Sequence, residues 1–204
     1  MSEDKKQLII SVSREYGAGG HEVAALLAER FGLPLIDAHS IAQHFSEHHN
    51  FDYDEVKKYS GKPFNRLLHR RIRGHSNMVE DNLSQMQFDY LREKAAAGES
   101  FVIVGRCSET VLKEYDALVS FFVLADAKDK VKRVMQREGL KEDEALYASR
   151  KGTRSHKSYH NYYCKGKWGD SRLYDMCIST SKIGTDGAAD VIETFIRKRT
   201  EERN

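Results

Sequence analysis

Several features that define other classes of protein are scarce in this sequence. It has only two prolines and three cysteines in 204 residues. Few prolines permit long helices, and an odd number of cysteines, none in C-x-x-C spacing, argues against a disulfide framework or a zinc knuckle. No run of about 18 apolar residues predicts a membrane-spanning helix. Without repeats or low-complexity tracts, the chain is expected to form one soluble globular domain with a small subdomain.

Strong net charge is also missing. The formal charge is +2 at pH 7, so no global field favours nucleic acid or an anionic membrane as a partner. The N-terminus lacks the apolar region of a signal peptide, and a cytoplasmic location is expected by default. Positive charge is concentrated at residues 150–172, where seven Lys and Arg residues accompany one acidic residue. This segment suits a small polyanion such as a nucleotide, or it is a solvated loop.

Short apolar runs alternate with helical patterns along the chain. The predicted strands are residues 8–13, 34–37, 101–105, 120–125 and 176–180. The predicted helices are residues 23–31, 40–49, 78–97, 106–115, 129–136 and 186–197. Ser40 with Gln43 resembles a capping box, Asp186 is the expected cap of the last helix, and residues 50–77 show no clear pattern. The alternation predicts a parallel sheet with helices on both faces and ligands at the carboxyl ends of its strands.

A glycine-rich loop joins the first predicted strand to the first helix. Glycines allow backbone N–H groups to approach a phosphate at a helix N-terminus, although an ordinary strand-to-helix turn has similar composition. In the pattern G-x-x-x-x-G-K-[ST], Gly19 fits the second glycine. Three positions do not fit: Arg14 stands at the first glycine, Gly20 at the lysine and His21 at the hydroxyl residue. A kinase with this loop needs another cation near the phosphates, and Arg14 and His21 are the nearest candidates.

The segment ISVSREYGAGGHEVAALLAERFGLPLIDAHSI resembles the opening of the cytidylate kinase-like family, in which the missing lysine is usual. The resemblance continues at Val104-Gly105-Arg106 and Leu124-Ala125, and it ends with Trp168-Gly169-Asp170, Tyr174-Asp175 and Ile178-Ser179-Thr180. It spans nearly the whole chain. It implies a P-loop kinase-like α/β fold, with ATP and Mg²⁺ as cofactors and a nucleoside monophosphate as acceptor. The donor phosphates are then assigned to Gly17, Ala18, Gly19, Gly20, His21 and Glu22.

Arg106 and Asp37 are the predicted acceptor-binding residues. Arg106 follows a strand and matches the arginine of the Gly-Arg-Asp motif of true cytidylate kinases, where it would grip a monophosphate; the alternative is a structural ion pair. Cys107 replaces the aspartate of that motif, which leaves cytosine selectivity open, and it is expected to be a small buried residue. Asp37 matches the aspartate beside the acceptor nucleotide, or it caps the following helix.

A basic lid at about residues 128–172 and an acceptor-side insertion at about residues 38–97 complete the expected single domain, residues 1–204. Lys130, Arg133 and Arg137 share one helix face by their spacing. The resemblance implies that Arg133 and Arg137 assist Arg14 in catalysis; a solvated helix face is the alternative. Arg150, Arg154 and Lys157 are further lid candidates. The aromatic residues of the same segment, Tyr159, Tyr162, Tyr163 and Trp168, form either a base-stacking surface or the apolar underside of the lid.

Two alternatives to a nucleotide kinase follow from the missing lysine and hydroxyl. The chain is then a nucleotide- or anion-binding module without catalysis, or a kinase of another small-molecule acceptor. A metal site is not predicted: His44 and His48 are four residues apart on a helix, but the HExxH pattern is absent. No nucleic-acid-binding motif is found.

Overall fold

The computed structural model describes residues 6–49, 51–59, 71–72, 75–76 and 79–202. Parts of the expected acceptor-side insertion therefore lie outside the described residues. The strands are β1 (Ile9–Arg14), β2 (Leu35–Ile36), β3 (Arg71–Ile72), β4 (His75–Ser76), β5 (Phe101–Val104), β6 (Leu118–Leu124) and β7 (Met176–Ser179). The helices are α1 (Gly20–Phe31), α2 (Ala38–His49), α3 (Tyr53–Tyr59), α4 (Val79–Ala96), α5 (Ser108–Val111), α6 (Ala127–Glu138), α7 (Glu142–Tyr163) and α8 (Thr180–Glu202).

Five strands form one parallel sheet in the order β2-β5-β1-β6-β7. β1 lies at its centre because the run from Ile9 to Val12 is apolar or small and fully buried, as expected for a strand covered on both faces. In the register of β1 with β5, Val12 pairs with Val104. The residues that follow these two strands therefore meet at the same edge of the sheet.

Helices cover both faces of the sheet, as predicted. Alternate strand residues point to opposite faces, so Ile10 and Val12 pack in a cluster with α1 and α8, whereas Ile9 packs in a second cluster with α2 and α4. α6 and α7 are joined by residues 139–141 and pack on each other through Val131, Val134 and Ala145. They are called the α6–α7 hairpin below. Among the described residues, no helix is both long and apolar enough to cross a membrane.

Several local predictions are corrected by the structure. α2 begins at Ala38, and Asp37 rather than Ser40 provides the cap, with Asp37 Oδ1 accepting the His39 and Ser40 N–H groups at 2.9 Å each. α8 begins at Thr180, but the non-helical Gly184 divides it into a short first segment and a longer helix that starts close to the predicted Asp186. Val79, predicted to face inward, is 53% exposed.

The largest difference concerns the basic segment after residue 150. Residues up to Tyr163 continue the 22-residue helix α7, so most of this segment is not a loop. Its helical period matters for the site, because it decides which side chains face the carboxyl ends of the strands.

Candidate active site

The glycine-rich loop turns tightly between β1 and α1. Gly17 and Gly19 have positive φ angles of 83° and 85°, a conformation that favours glycine. A Cβ at Gly17 would lie 2.8 Å from the carbonyl oxygen of Lys130, so this glycine also permits close packing on α6. Gly19 precedes α1, and no side chain of the described residues caps that helix end. The first backbone N–H groups of α1 are therefore available to an anion.

This loop borders a cavity of about 260 Å³. It is lined by Arg14, Glu15, Tyr16, Gly17, Gly19, Gly20, His21, Glu22, Arg137 and His156. We call it the donor cavity. Ala18, predicted with the phosphate-binding residues, is fully buried in the core, and its N–H donates to the Glu15 carbonyl oxygen at 3.2 Å. Ala18 therefore shapes the loop without lining the cavity.

The Arg14 side chain extends from the end of β1 towards the end of β5. It fills the space that a Cβ at Gly20 would occupy, and its guanidinium fills the corresponding space at Gly105. The two glycines therefore provide a channel in which the arginine lies. Gly20, the position of the usual lysine, is a glycine here because Arg14 passes over it.

Arg14 is buried beside a second cation, Arg106. Burial, followed by the charge of Arg106, lowers the pKa of Arg14 to about 10, although Asp37 opposes this change. Glu15, the carboxylate next to Arg14 in the sequence, is paired with Lys130 at 2.7 Å. Arg14 has no ion pair within the described part of the chain, and two adjacent cations without matching carboxylates are an arrangement suited to phosphate.

Three consecutive residues after β5 adopt left-handed conformations. The φ angles are 71° for Gly105, 60° for Arg106 and 54° for Cys107. This conformation costs roughly 1–2 kcal/mol for a non-glycine residue, and such strain clusters at functional sites. The turn faces a second cavity of about 230 Å³, the acceptor cavity. It is lined by Ser13, Arg14, Ala38, Gly105, Arg106, Cys107, His156, Tyr159, His160 and Trp168.

Arg14 and His156 line both cavities. His156 Nδ1 lies 3.3 Å from the Arg14 carbonyl oxygen. Burial, then the charge of Arg14, lowers the pKa of His156 to about 3, so the ring is neutral at pH 7 and does not add to the positive charge. Sequence reasoning did not select His156, because the segment was not read as a helix. Its position one turn from Gly152 and Tyr159 on α7 is the signal that identifies it.

Asp37 performs the capping role and also faces the site. Its Oδ1 caps α2, while its Oδ2 lies 3.7 Å from His21 Nε2. The two readings of Asp37 from sequence are therefore compatible, since each uses a different carboxylate oxygen. Its role towards an acceptor stays a prediction.

The three basic residues predicted to share a face of α6 all face the glycine-rich loop. Lys130 pairs with Glu15. Arg133 Nη1 lies 3.5 Å from the Gly17 carbonyl oxygen, behind the loop and outside the lining of the donor cavity. Arg137 lines the cavity, lies 4.8 Å from the centre of the Tyr16 ring and pairs with Glu138 at 2.6 Å. Of the three, Arg137 is best placed to meet a bound phosphate.

Arg150, Arg154 and Lys157 lie elsewhere. All three are exposed, and none lines either cavity. They form a stripe on α7 that faces solvent, while His156, Tyr159 and His160 on the same helix face inward. The geometry therefore does not support the prediction that these three residues act in the lid.

Tyr159 and Trp168, two aromatic residues of the basic segment, pack into the interior. Tyr159 is buried against Cys107 and Phe88, and the Trp168 ring packs edge-on against Phe122 with a centroid distance of 5.0 Å. This is the apolar underside of the α6–α7 hairpin, although Tyr159 and Trp168 also reach the acceptor cavity. Of the two histidines considered for metal, His44 packs on Tyr90 at a centroid distance of 4.3 Å.

Tyr16 attaches the α6–α7 hairpin to the glycine-rich loop. Its N–H donates to Thr153 Oγ1 at 3.2 Å, and its hydroxyl donates to Glu138 at 2.6 Å. Its ring lies against Gly152, where an added Cβ would overlap the ring. A glycine inside a helix costs about 1 kcal/mol relative to alanine, and here it permits this close contact.

We expect Gly152→Ala to lower stability by about 1–2 kcal/mol, although alanine is the better helix former. Overpacking costs about 1–3 kcal/mol and outweighs a propensity gain of about 1 kcal/mol. Thermal unfolding measures the change. Ser158→Ala, at an exposed position of the same helix, is the control and should stay within about 0.5 kcal/mol. A more stable Gly152→Ala protein would contradict the contact.

The architecture, a parallel sheet with helices on both faces, is a P-loop kinase-like α/β fold. The chain belongs to the cytidylate kinase-like family, whose sequence profile it matches over residues 9–182. Family and fold together support a nucleotide or small-molecule kinase. They do not identify a particular acceptor.

Individual relatives agree with this assignment. A cytidylate kinase from Methanococcus vannielii is 26% identical over 192 residues, covering 93% of this chain and 100% of that protein. The crystal structure of an uncharacterized protein from Eubacterium ventriosum is 36% identical, with a TM-score of 0.75 and coverage of 94% of this chain and 99% of that one. Shikimate kinase from Bacteroides thetaiotaomicron has a TM-score of 0.56 at 11% identity, covering 93% and 98% of the two chains, and so shares the fold alone.

Proposed function

We propose that this protein transfers the γ-phosphoryl group of ATP to a nucleoside monophosphate. The donor phosphates lie against the glycine-rich loop and the N-terminus of α1 in the donor cavity. The acceptor phosphate lies by Arg106 in the acceptor cavity. The family and the names of its relatives support this reaction class, and the acceptor base is left open because Cys107 stands where cytidylate kinases have aspartate.

The observation that carries the proposal is the shared wall between the two cavities. Arg14 lines both, so two phosphate groups bound on either side would meet at one guanidinium. Phosphoryl transfer consists largely of positioning and of stabilising charge on the transferring group. A planar guanidinium with five donors suits this role better than a point charge.

The residues around Arg14 would bind the donor and acceptor phosphates and add positive charge. Backbone N–H groups at the start of α1 would hold the donor phosphates, assisted by the helix dipole. Arg106 would hold the acceptor phosphate. Arg137 would add positive charge from α6 and, together with Tyr16, close the donor cavity against water. A phosphate acceptor is already ionised at pH 7, so no strong general base is required.

Mg²⁺ is expected with ATP, and two carboxylates are suitable for it: Glu22 in the wall of the donor cavity, and Asp37 beside His21 of that wall. Glu22 lines that cavity, and Asp37 Oδ2 is not used in the cap of α2. Mg²⁺ usually keeps several waters and binds one or two carboxylates together with substrate phosphates. Glu22 and Asp37 would hold such an ion, which would neutralise charge on the phosphates when bound.

The proposal is tested by a binding screen followed by a turnover assay. ATP is combined with each common nucleoside monophosphate, with and without Mg²⁺, and diphosphate products are measured; shikimate serves as a non-nucleotide acceptor. Formation of a nucleoside diphosphate is the expected result. Binding of both nucleotides without turnover would instead indicate a non-catalytic binding module. Turnover only with a non-nucleotide hydroxyl would reject the nucleotide acceptor.

Replacing Arg106 is expected to weaken acceptor binding, and replacing it with glycine is also expected to raise stability. Removing its charge-assisted bonds, worth roughly 1.5–3 kcal/mol, should weaken acceptor binding by about ten- to a hundredfold and leave ATP binding nearly unchanged. Arg106→Ala and Arg106→Gly should share this loss. Only Arg106→Gly should gain stability, by up to about 1 kcal/mol, because it relieves the left-handed backbone.

Calorimetric titration with each nucleotide and thermal unfolding measure the two effects. Arg154→Ala removes an exposed arginine of α7 and serves as the charge-matched control. Equal loss of affinity for donor and acceptor, or no loss for either, would contradict the assignment of Arg106 to the acceptor.

A further inference from the structure

Four side chains with metal-binding chemistry meet between the turn after β5 and the last turn of α7. Cys107 precedes α5 and Glu109 lies in it, while His160 lies in the last turn of α7 and Cys164 directly follows that helix. The ligand atoms of Glu109, His160 and Cys164 all lie within 4.8 Å of one another, and all three residues are buried. The i, i+4 spacing of His160 and Cys164 places both on one helix face. The kinase reaction proposed above uses none of these three side chains.

The tautomer of His160 decides whether its Nε2 presents a proton or a lone pair to the Glu109 carboxylate. Its Nδ1 lies 3.4 Å from Asn161 Oδ1, which also accepts the Trp168 N–H at 2.8 Å. With its proton on Nδ1, the ring directs Nε2 at Glu109 Oε1, 2.8 Å away. Two lone pairs at this distance require a proton or a cation between them. A ring whose second nitrogen donates to an oxygen acceptor is the usual arrangement of a metal-binding histidine.

Two buried thiols lie beside the histidine–carboxylate pair, and an ordinary buried ion pair does not require them. Cys107 and Cys164 are both buried and belong to one packed cluster, and their side chains interact electrostatically. Cys107 therefore lies beside Cys164, at the edge of the three ligands that already converge. The side chain of Glu109 is only 1% exposed and that of His160 only 4%, so water cannot readily compete for the ligand atoms.

We propose that Glu109, His160 and Cys164, with Cys107 as the fourth ligand, form a structural Zn²⁺ site. Sulfur, imidazole nitrogen and carboxylate oxygen are the ligands that zinc prefers. Tetrahedral bonds of about 2.0–2.3 Å place ligand atoms roughly 3–4 Å apart, so small side-chain rotations close the site. Binding displaces the proton shared by His160 and Glu109 and the thiol protons.

Charge and position agree with a structural role. Zn²⁺ with two thiolates and one carboxylate has a net charge of −1, and the guanidinium of Arg106, which acts electrostatically on Cys107, offsets it. The ion would fasten the end of α7 to the turn that carries Arg106. It would hold the α6–α7 hairpin on the acceptor side of the sheet. Metal binding at this site can be measured without a kinase assay.

The test uses the full chain with Cys177→Ser as the parent, because Cys177 is exposed and lies outside the cluster. The parent is stripped with a chelator under a non-coordinating reductant, so that no disulfide forms, and is then titrated with Zn²⁺ and with Co²⁺. We expect one equivalent of metal per chain, a higher melting temperature with zinc, and a sulfur-to-cobalt charge-transfer band. That band can come only from Cys107 and Cys164.

Removal of a ligand should weaken metal binding by at least about a hundredfold, the upper end of what loss of an outer-shell partner costs. Cys164→Ser and His160→Gln are both measured in the parent background, and Cys107→Ser tests the fourth ligand. No stoichiometric metal in the parent, a cobalt spectrum without the thiolate band, or full affinity in both variants would overturn the site. If the variants fail to fold, the cobalt spectrum of the parent decides.

Discussion

Replacing Arg14 with alanine is expected to lower kcat for phosphoryl transfer by about 10³. A single preorganised donor to developing negative charge contributes about 10²–10³ in kcat, and an arginine at a transferring phosphoryl group contributes about 10³–10⁵. Arg14 lines both cavities, and Gly20 offers no side chain in place of the usual lysine. KM for ATP should change much less than kcat, because backbone N–H groups still hold the donor phosphates.

Stability separates a catalytic Arg14 from a structural one. Burial and Arg106 lower the pKa of Arg14 to about 10, so keeping it charged at neutral pH opposes folding. Its removal should therefore leave the melting temperature unchanged or raise it slightly. Arg14→Lys should recover part of kcat, and Arg154→Ala should keep full activity. Full activity of Arg14→Ala, or unfolding of that variant, would show that the charge comes from elsewhere.

The central part of the fold was predictable because its signals are local. Each of the five sheet strands is a short apolar run, and Gly32, with a φ of 62°, ends α1 where the sequence predicted. The start of α2 was misplaced by two residues, since Asp37 and Ser40 are both good caps and only packing selects between them. α7 was missed because its basic and aromatic composition hides a helical period that becomes evident only when Gly152 and Tyr159 are seen facing inward.

The candidate site was predictable where it depends on the ends of strands. Arg14 and Arg106 follow two apolar runs that proved to be neighbouring strands, so their proximity follows from the parallel sheet. Contacts between distant segments could not be read from spacing. Glu109 and His160 are 51 residues apart, and a search for metal motifs of fixed spacing does not detect them.

A lysine restored at position 20 is expected to inactivate the protein unless Arg14 is shortened at the same time. A Cβ at Gly20 would overlap the Cβ of Arg14 and lie 2.8 Å from its Cγ, so Gly20→Lys should displace Arg14 from its channel. Overpacking should cost about 1–3 kcal/mol of stability, and kcat should fall nearly as far as in Arg14→Ala. Gly20→Ala, which adds the Cβ without a charge, should reproduce most of the loss.

The double variant Gly20→Lys, Arg14→Gly should be more active than either single variant, by about tenfold or more. Glycine is needed at position 14 because alanine would keep the Cβ that a Cβ at position 20 overlaps; in the double variant the lysine has that space, and its ammonium group can reach the donor phosphates from the start of α1. The four proteins form a double-mutant cycle in which kcat and the melting temperature are both measured, and strong non-additivity is expected between residues in contact. If the two substitutions combine additively, or if Gly20→Lys alone retains full activity, then Arg14 does not occupy the position of the missing lysine. In that case the Arg14 side chain is not the reason for a glycine at position 20.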